Sequence, residues 1–224
     1  MRIKELTLFT NNLLAQKSFF KNNLKFDLLD ESDKEFSIQV GWTKLKFKHS
    51  TQNHIYHYCF LIPSNKLNEA IEWLHKKAEI INIEDNRIIQ YFKNWNAHSI
   101  YFYDASGNLA EFIVRHDLKN DITQPFNLSH LLCVNEIGMP SQDIKKINTH
   151  LEEVTSSKFW KGDFERFGTN GSQEGLFLLV NKDVKTTWFP TQVKTEDSPF
   201  IITVVINQKE FSFEYVEQEI IFMQ

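Results

Sequence analysis

The strongest constraint on this chain is an arrangement that occurs three times. Each copy has an alternating strand, a short break carrying Asn, Pro or Ser, and then an amphipathic helix. The copies read "KELTLFTNNLLAQKSFFKNNL", "YHYCFLIPSNKLNEAIEWLHKK" and "SHLLCVNEIGMPSQDIKKINTHLEE". An alternating strand has one apolar face to bury, and a helix with an apolar stripe is the cover it needs. In the second copy Leu67, Ile71 and Leu74, with Ala70 and Trp73, make that stripe, while Glu69, Glu72 and Lys76 point elsewhere. Ser64 or Asn65 is placed to cap this helix. Shorter strands follow the helices: "EFSIQVG" and "TKLKFKH" after the first, "RIIQYFK", "SIYFYD" and "LAEFIVR" after the second. The unit reads as βαβββ and the class as α+β, with paired units curving into a cup-shaped mixed sheet.

After His116 the composition turns polar through "DLKNDITQPFN", where Pro125 cannot join a central strand. A boundary is therefore expected there. Residues 1–118 would form one domain of two βαβββ units. Residues 127–224 would form a strand-rich C-terminal domain that starts with a third, partly degenerate unit. Its further strand candidates are "EGLFLLVN", "TTWFPT", "FIITVVI" and "FSFEYVEQEIIF". The apolar runs "LFLLV" and "IITVV" need cover, so this segment is expected to pack on the first domain.

Several function classes drop out early. A formal net charge of -4 without long single-sign runs gives no footprint for nucleic acid or anionic lipid. Cys59 and Cys133 sit far apart inside apolar runs and suggest neither a disulfide framework nor a thiolate metal site. "MRIKELTLFT" enters a strand directly and no apolar run approaches membrane-spanning length, so a soluble cytoplasmic protein is expected. Gly-rich phosphate loops and Ser-centred nucleophile elbows are missing too.

The residue that most needs explaining is Glu111, a carboxylate inside "LAEFIVR". An unpaired charge among apolar, β-prone residues is expensive to bury. Residues two apart on a strand share a face, which groups Glu111 with Ile113 and Arg115, His57 with Cys59 and Leu61, and Glu5 with Thr7 and Phe9. If these faces turn inward on one curved sheet, Glu5, His57 and Glu111 converge. Two carboxylates and an imidazole suit a divalent cation: Fe, Mn, Zn, Ni or Co. Periodicity alone leaves that convergence open. Glu111 on a solvent-facing edge or paired with Arg115, His57 as a hydrogen-bonded wall residue, and Glu5 as a surface residue beside Lys4 are the plainer alternatives. His98 is a candidate for lining the cup or relaying a proton. Arg115 is a candidate for holding a substrate carboxylate or phosphate.

The hairpin "YFYDASGNLAEFI" resembles the closing hairpin of the vicinal oxygen chelate superfamily, which includes glyoxalase I, extradiol dioxygenases and the fosfomycin and bleomycin resistance proteins. "YHYCFLIPSNKLNEAIEWL" resembles the opening strand and helix of that family's second unit. The resemblance covers residues 1–118 and implies two units around a cup with a metal at its bottom. By position it matches Glu111 to the family's glutamate ligand, His57 to its central histidine, and Glu5 to an opening ligand that is usually histidine. Ala105 also stands where the family's turn has proline. His130 in "SHLLCV" resembles the opening ligand of a further unit, but no histidine follows His150 to complete a second site. "WNAH" and "WFPT" look like segments of uncharacterised two-part members. The resemblance implies metal-dependent chemistry on a small substrate with adjacent oxygens, of lyase, isomerase or dioxygenase type. Two alternatives stand beside it: metal-free binding of a small ligand, and a vestigial site. The expected partner is a small molecule, with homodimerisation allowed.

Overall fold

In the computed structural model, which describes residues 1–223, the recurring strand–helix arrangement is present three times, and a fourth group of strands closes the fold. The first unit is β1 (Arg2–Thr10), α1 (Leu13–Ser18) running into a wider turn at Phe19–Leu24, β2 (Glu35–Val40) and β3 (Thr43–His49). The second is β4 (His57–Leu61), α2 (Leu67–His75), β5 (Gln90–Phe92), β6 (Ala97–Tyr103) and β7 (Leu109–Arg115). The third is β8 (Cys133–Ser141), α3 (Ile144–Thr155), β9 (Phe159–Gly162), β10 (Phe167–Ser172) and β11 (Gly175–Asn181). The last keeps only strands: β12 (Phe200–Ile206), β13 (Lys209–Val216) and β14 (Glu219–Phe222). The expected strand at "TTWFPT" is instead a loop, carrying an isolated bridge from Thr187 to Lys194.

The units pair differently from the expectation. β4 hydrogen-bonds antiparallel to β8, joining the second and third units into an eight-stranded sheet of order β5-β6-β7-β4-β8-β11-β10-β9. β1 pairs antiparallel with β12, so the first unit and the terminal strands make a six-stranded sheet of order β14-β13-β12-β1-β3-β2. The polar stretch around residues 118–127 therefore connects neighbouring strands of one sheet. It reads as a boundary because an exposed crossover has the same composition as a linker.

Alternation on each strand sets what faces the shared core. Tyr58 and Phe60 of β4, Phe112 and Val114 of β7, and Phe177 and Leu179 of β11 join Leu6, Phe47 and Phe213 of the other sheet in one buried cluster. Their strand neighbours, among them His57, Glu111 and Leu178, look the other way, into the concavity of the eight-stranded sheet. α2 forms over the expected stripe, with Ala70 and Leu74 buried. Its N-cap is Lys66, without a side-chain cap. Ser64 and Asn65 are not free to cap it, because Ser64 donates to Asn120 Oδ1 (2.8 Å) and Asn65 Nδ2 donates to the carbonyl of Ile122 (2.9 Å). In the β6–β7 turn Gly107 takes the positive φ of 81°. Asn108 contributes through its side chain, accepting from the Tyr56 amide at 2.9 Å.

Candidate metal centre

Three adjacent strands each send one side chain to the floor of this concavity. β4 supplies His57, β7 supplies Glu111 and β8 supplies Glu136, and one ligand-type atom from each lies within 4.8 Å of the others. Parallel pairing of β4 with β7 puts Cys59 opposite Glu111, and antiparallel pairing of β4 with β8 puts Cys59 opposite Glu136. The two carboxylates thus flank one strand, and His57 stands two residues along it on the same face. All three are buried.

His57 is oriented by its own backbone surroundings. Its Nδ1 lies 3.1 Å from the carbonyl of Leu109, which can only accept, so Nδ1 carries the hydrogen. Its Nε2 lies 3.3 Å from Glu111 Oε2. With a neutral ring, two lone pairs face each other across that gap, an arrangement that calls for a proton or a metal cation between them. Glu136 has a partner on its other side, the Arg115 guanidinium, whose Nη2 donates to Oε1. Arg115 Nε donates to Asn135 Oδ1 at 3.0 Å. Burial, with Glu111 adding to it, raises the Glu136 carboxyl to about 7 in spite of Arg115. One oxygen and one nitrogen from the second unit and one oxygen from the third make a donor set that fits Fe(II), Mn, Co, Ni or Zn.

Register also shows where a fourth ligand would stand. Leu109 pairs with His57 as Leu176 pairs with Glu136, which makes Leu178 the counterpart of Glu111. Leucine has no donor atom, so a cation held here keeps open positions facing the cavity. That cavity has a volume of about 280 Å³. Its walls include Phe92, Trp95, Tyr101, Leu178, Trp188 and Phe189. Trp188 comes from the long β11–β12 connection, and its ring lies 4.8 Å from the His57 ring, tilted at 43°. It reaches that position across Gly138, where an added Cβ would meet the indole at 2.6 Å. Burial raises the Tyr101 hydroxyl well above its ordinary value, so Tyr101 enters the cavity as a neutral donor.

The residues expected from sequence fall into two groups. His57 and Glu111 are brought together. Glu5 is not among them: β1 belongs to the six-stranded sheet, and the Glu5 carboxylate, 40% exposed, lies 3.8 Å from Lys46 Nζ. Arg115 is fully buried and pairs with Glu136, not Glu111, while Trp95 and Trp160 stand 5.7 and 5.6 Å from its guanidinium. Engaged in this way, it does not line the cavity. His98 points to the opposite face of β6, with Nδ1 2.7 Å from His116 Nε2 and its ring 4.5 Å from Tyr91. His130 lies in a short turn before β8, where its Nδ1 accepts from the Asn127 amide. Sequence reasoning missed Glu136. The available signal was the one Glu111 gave, a lone carboxylate in an apolar strand, here "CVNEIGM".

No protein-family model and no curated protein matches this chain. Solved structures do. A candidate dioxygenase from Bacillus subtilis is similar at 13% identity and a TM-score of 0.55, over 81% of this chain and 64% of that one. A mutant glyoxalase I from Zea mays is similar at 13% identity and a TM-score of 0.52, over 80% of this chain and 66% of that one. The chain thus spans just under two thirds of each of these proteins.

Proposed function

We propose that this chain, which has the fold of the vicinal oxygen chelate superfamily, is a metal-dependent enzyme acting on a small substrate with adjacent oxygens. His57, Glu111 and Glu136 would hold the cation. The observation that carries the reading is Nε2 of His57 facing the Glu111 carboxylate at 3.3 Å in a buried site, with a second carboxylate beside them. Burying two carboxylates against one guanidinium is costly, and a divalent cation offsets the excess charge. When bound, a divalent cation acts as a Lewis acid on the oxygens of a substrate. The residues around it do the rest. Trp188 and Phe189 cover the cavity and exclude water. The Tyr101 hydroxyl donates to a substrate oxygen. Leu178 leaves room where a fourth ligand would stand.

Proton transfer, oxygen insertion and nucleophile addition all remain within this proposal, and so does the choice among Fe, Mn, Zn, Ni and Co. Both cysteines are free and buried, which fits the reducing interior of a cell. Among the described residues no helix is long and apolar enough to cross a membrane. The aromatic lining supports a second reading, metal-free binding of a hydrophobic small molecule. Thermal melting of wild type and Glu111→Gln, with chelator and with Mn(II), separates the two. The enzyme reading expects Mn(II) to raise the wild-type melting temperature and to leave the variant unmoved. Equal behaviour of the two proteins would put the binding-module reading first.

A further inference from the structure

Two cations stand together at the mouth of this cavity. Arg166 comes from the turn between β9 and β10, and Lys185 from the β11–β12 connection; both line the cavity that holds His57, Glu111 and Glu136. Among the described residues neither comes within 4.0 Å of a carboxylate, although the charge of Arg166 is felt by Asp163 beyond that distance. Lys185 Nζ donates to the carbonyl of Thr187 at 2.6 Å and lies 5.2 Å from the Trp188 ring, neither of which neutralises it. Burial and the nearby Arg166 lower the Lys185 ammonium to about 8, which reports two like charges held close in a partly dry place. Both cations also line a second, polar cleft of about 370 Å³, together with Thr186, Thr187, Gln192 and Glu84. Among the described residues Glu84 comes within 4.0 Å of neither cation.

We infer that the substrate is anionic and elongated. Its aromatic or apolar body lies between Trp188, Phe189 and Tyr101, its adjacent oxygens face His57, Glu111 and Glu136, and a carboxylate or phosphate at the other end is held by Arg166 and Lys185. The inner end rests on the metal reading above, and the outer end rests on the unpaired cations alone. A planar guanidinium beside a point-charge ammonium suits either anion, and charge-assisted hydrogen bonds at a partly desolvated mouth discriminate strongly against a neutral analogue.

The test compares two probes of equal ring chemistry, 3-(3,4-dihydroxyphenyl)propanoate and 4-propylcatechol. Binding to the full chain is measured by calorimetry under argon, metal-free and Mn(II)-loaded, for wild type and for Arg166→Gln/Lys185→Gln. The expected result is about tenfold or more tighter binding of the propanoate by wild type, collapsing to near parity in the double variant. Equal binding of the two probes by wild type, each dependent on Mn(II), would overturn the anionic inference and leave the metal reading standing. A preference that survives in the double variant would overturn it also, as would failure of both probes to bind. A preference that is lost in the double variant, with neither probe's affinity changed by Mn(II), would uphold the basic pair and sink the metal reading. Melting curves of the double variant check that it is folded.

Discussion

Arg115→Met tests the electrostatics of the floor most sharply. Arg115 is fully buried and pairs with Glu136, itself 3% exposed and facing Glu111 across β4. Above about pH 7, where Glu136 is ionised, removing the guanidinium leaves its carboxylate without the cation it pairs with, and breaking a buried pair in this way costs about 3–5 kcal/mol. For a chain of this length about 2–4 °C of melting temperature go with each kcal/mol, so a fall of roughly 6–20 °C is expected in the metal-free protein. Two additions should reverse much of it. Glu136→Gln in the same chain removes the stranded charge, and Mn(II) at a hundredfold excess over its Kd returns about 2.7 kcal/mol by mass action. Differential scanning calorimetry with and without Mn(II) reads all of these shifts. A fall below about 2 °C, or no recovery with Glu136→Gln, would refute the claim that Arg115 compensates Glu136.

Glu5→Gln, on the other sheet, should leave the Mn(II)-induced rise in melting temperature unchanged, and a lost rise would return Glu5 to the ligand set. Glu136 is held near 7 in the folded chain against about 4.5 in a free carboxyl, so the folded state keeps a proton that the unfolded chain releases. The contribution of Glu136 to metal-free stability should therefore be fully present below about pH 4.5 and be lost as pH rises through about 7. For the same reason Mn(II) uptake should release more protons at pH 6 than at pH 8.5, as read by calorimetry in buffers of different ionisation enthalpy. Gly138→Ala places a methyl group 2.6 Å from the Trp188 indole and should drive that ring out of the cavity. The check is a red shift in tryptophan emission that Trp188→Phe abolishes.

The βαβββ unit was legible because its period-two strands and apolar helix stripe each demand the other. How the units pair was not. β4 takes β8 and leaves β1 to β12, and nothing local to β1 reports this, since Leu6 and Leu8 would be buried equally well in either arrangement. Glu5 was misplaced for that reason: its face of the strand is as expected, but the strand lies in the other sheet. Glu111 could be read because a carboxylate among Phe112, Ile113 and Val114 is costly without a reason. Glu136 between Asn135 and Ile137 carried the same signal, yet His130 drew attention as the more obvious ligand type. The role of "TTWFPT" was hidden because its β-prone Thr, Trp and Phe mimic a strand, while Trp188 is buried against Gly138 and His57 by tertiary contact.

The central claim is that His57, Glu111 and Glu136 hold one divalent cation. Equilibrium dialysis of the untagged protein against Mn(II), followed by elemental analysis, tests it most directly. The account predicts close to one ion per chain in wild type and in Glu5→Gln, and strongly reduced content in His57→Ala and in Glu111→Gln. Equal metal content in all four proteins, or none in wild type, would contradict it.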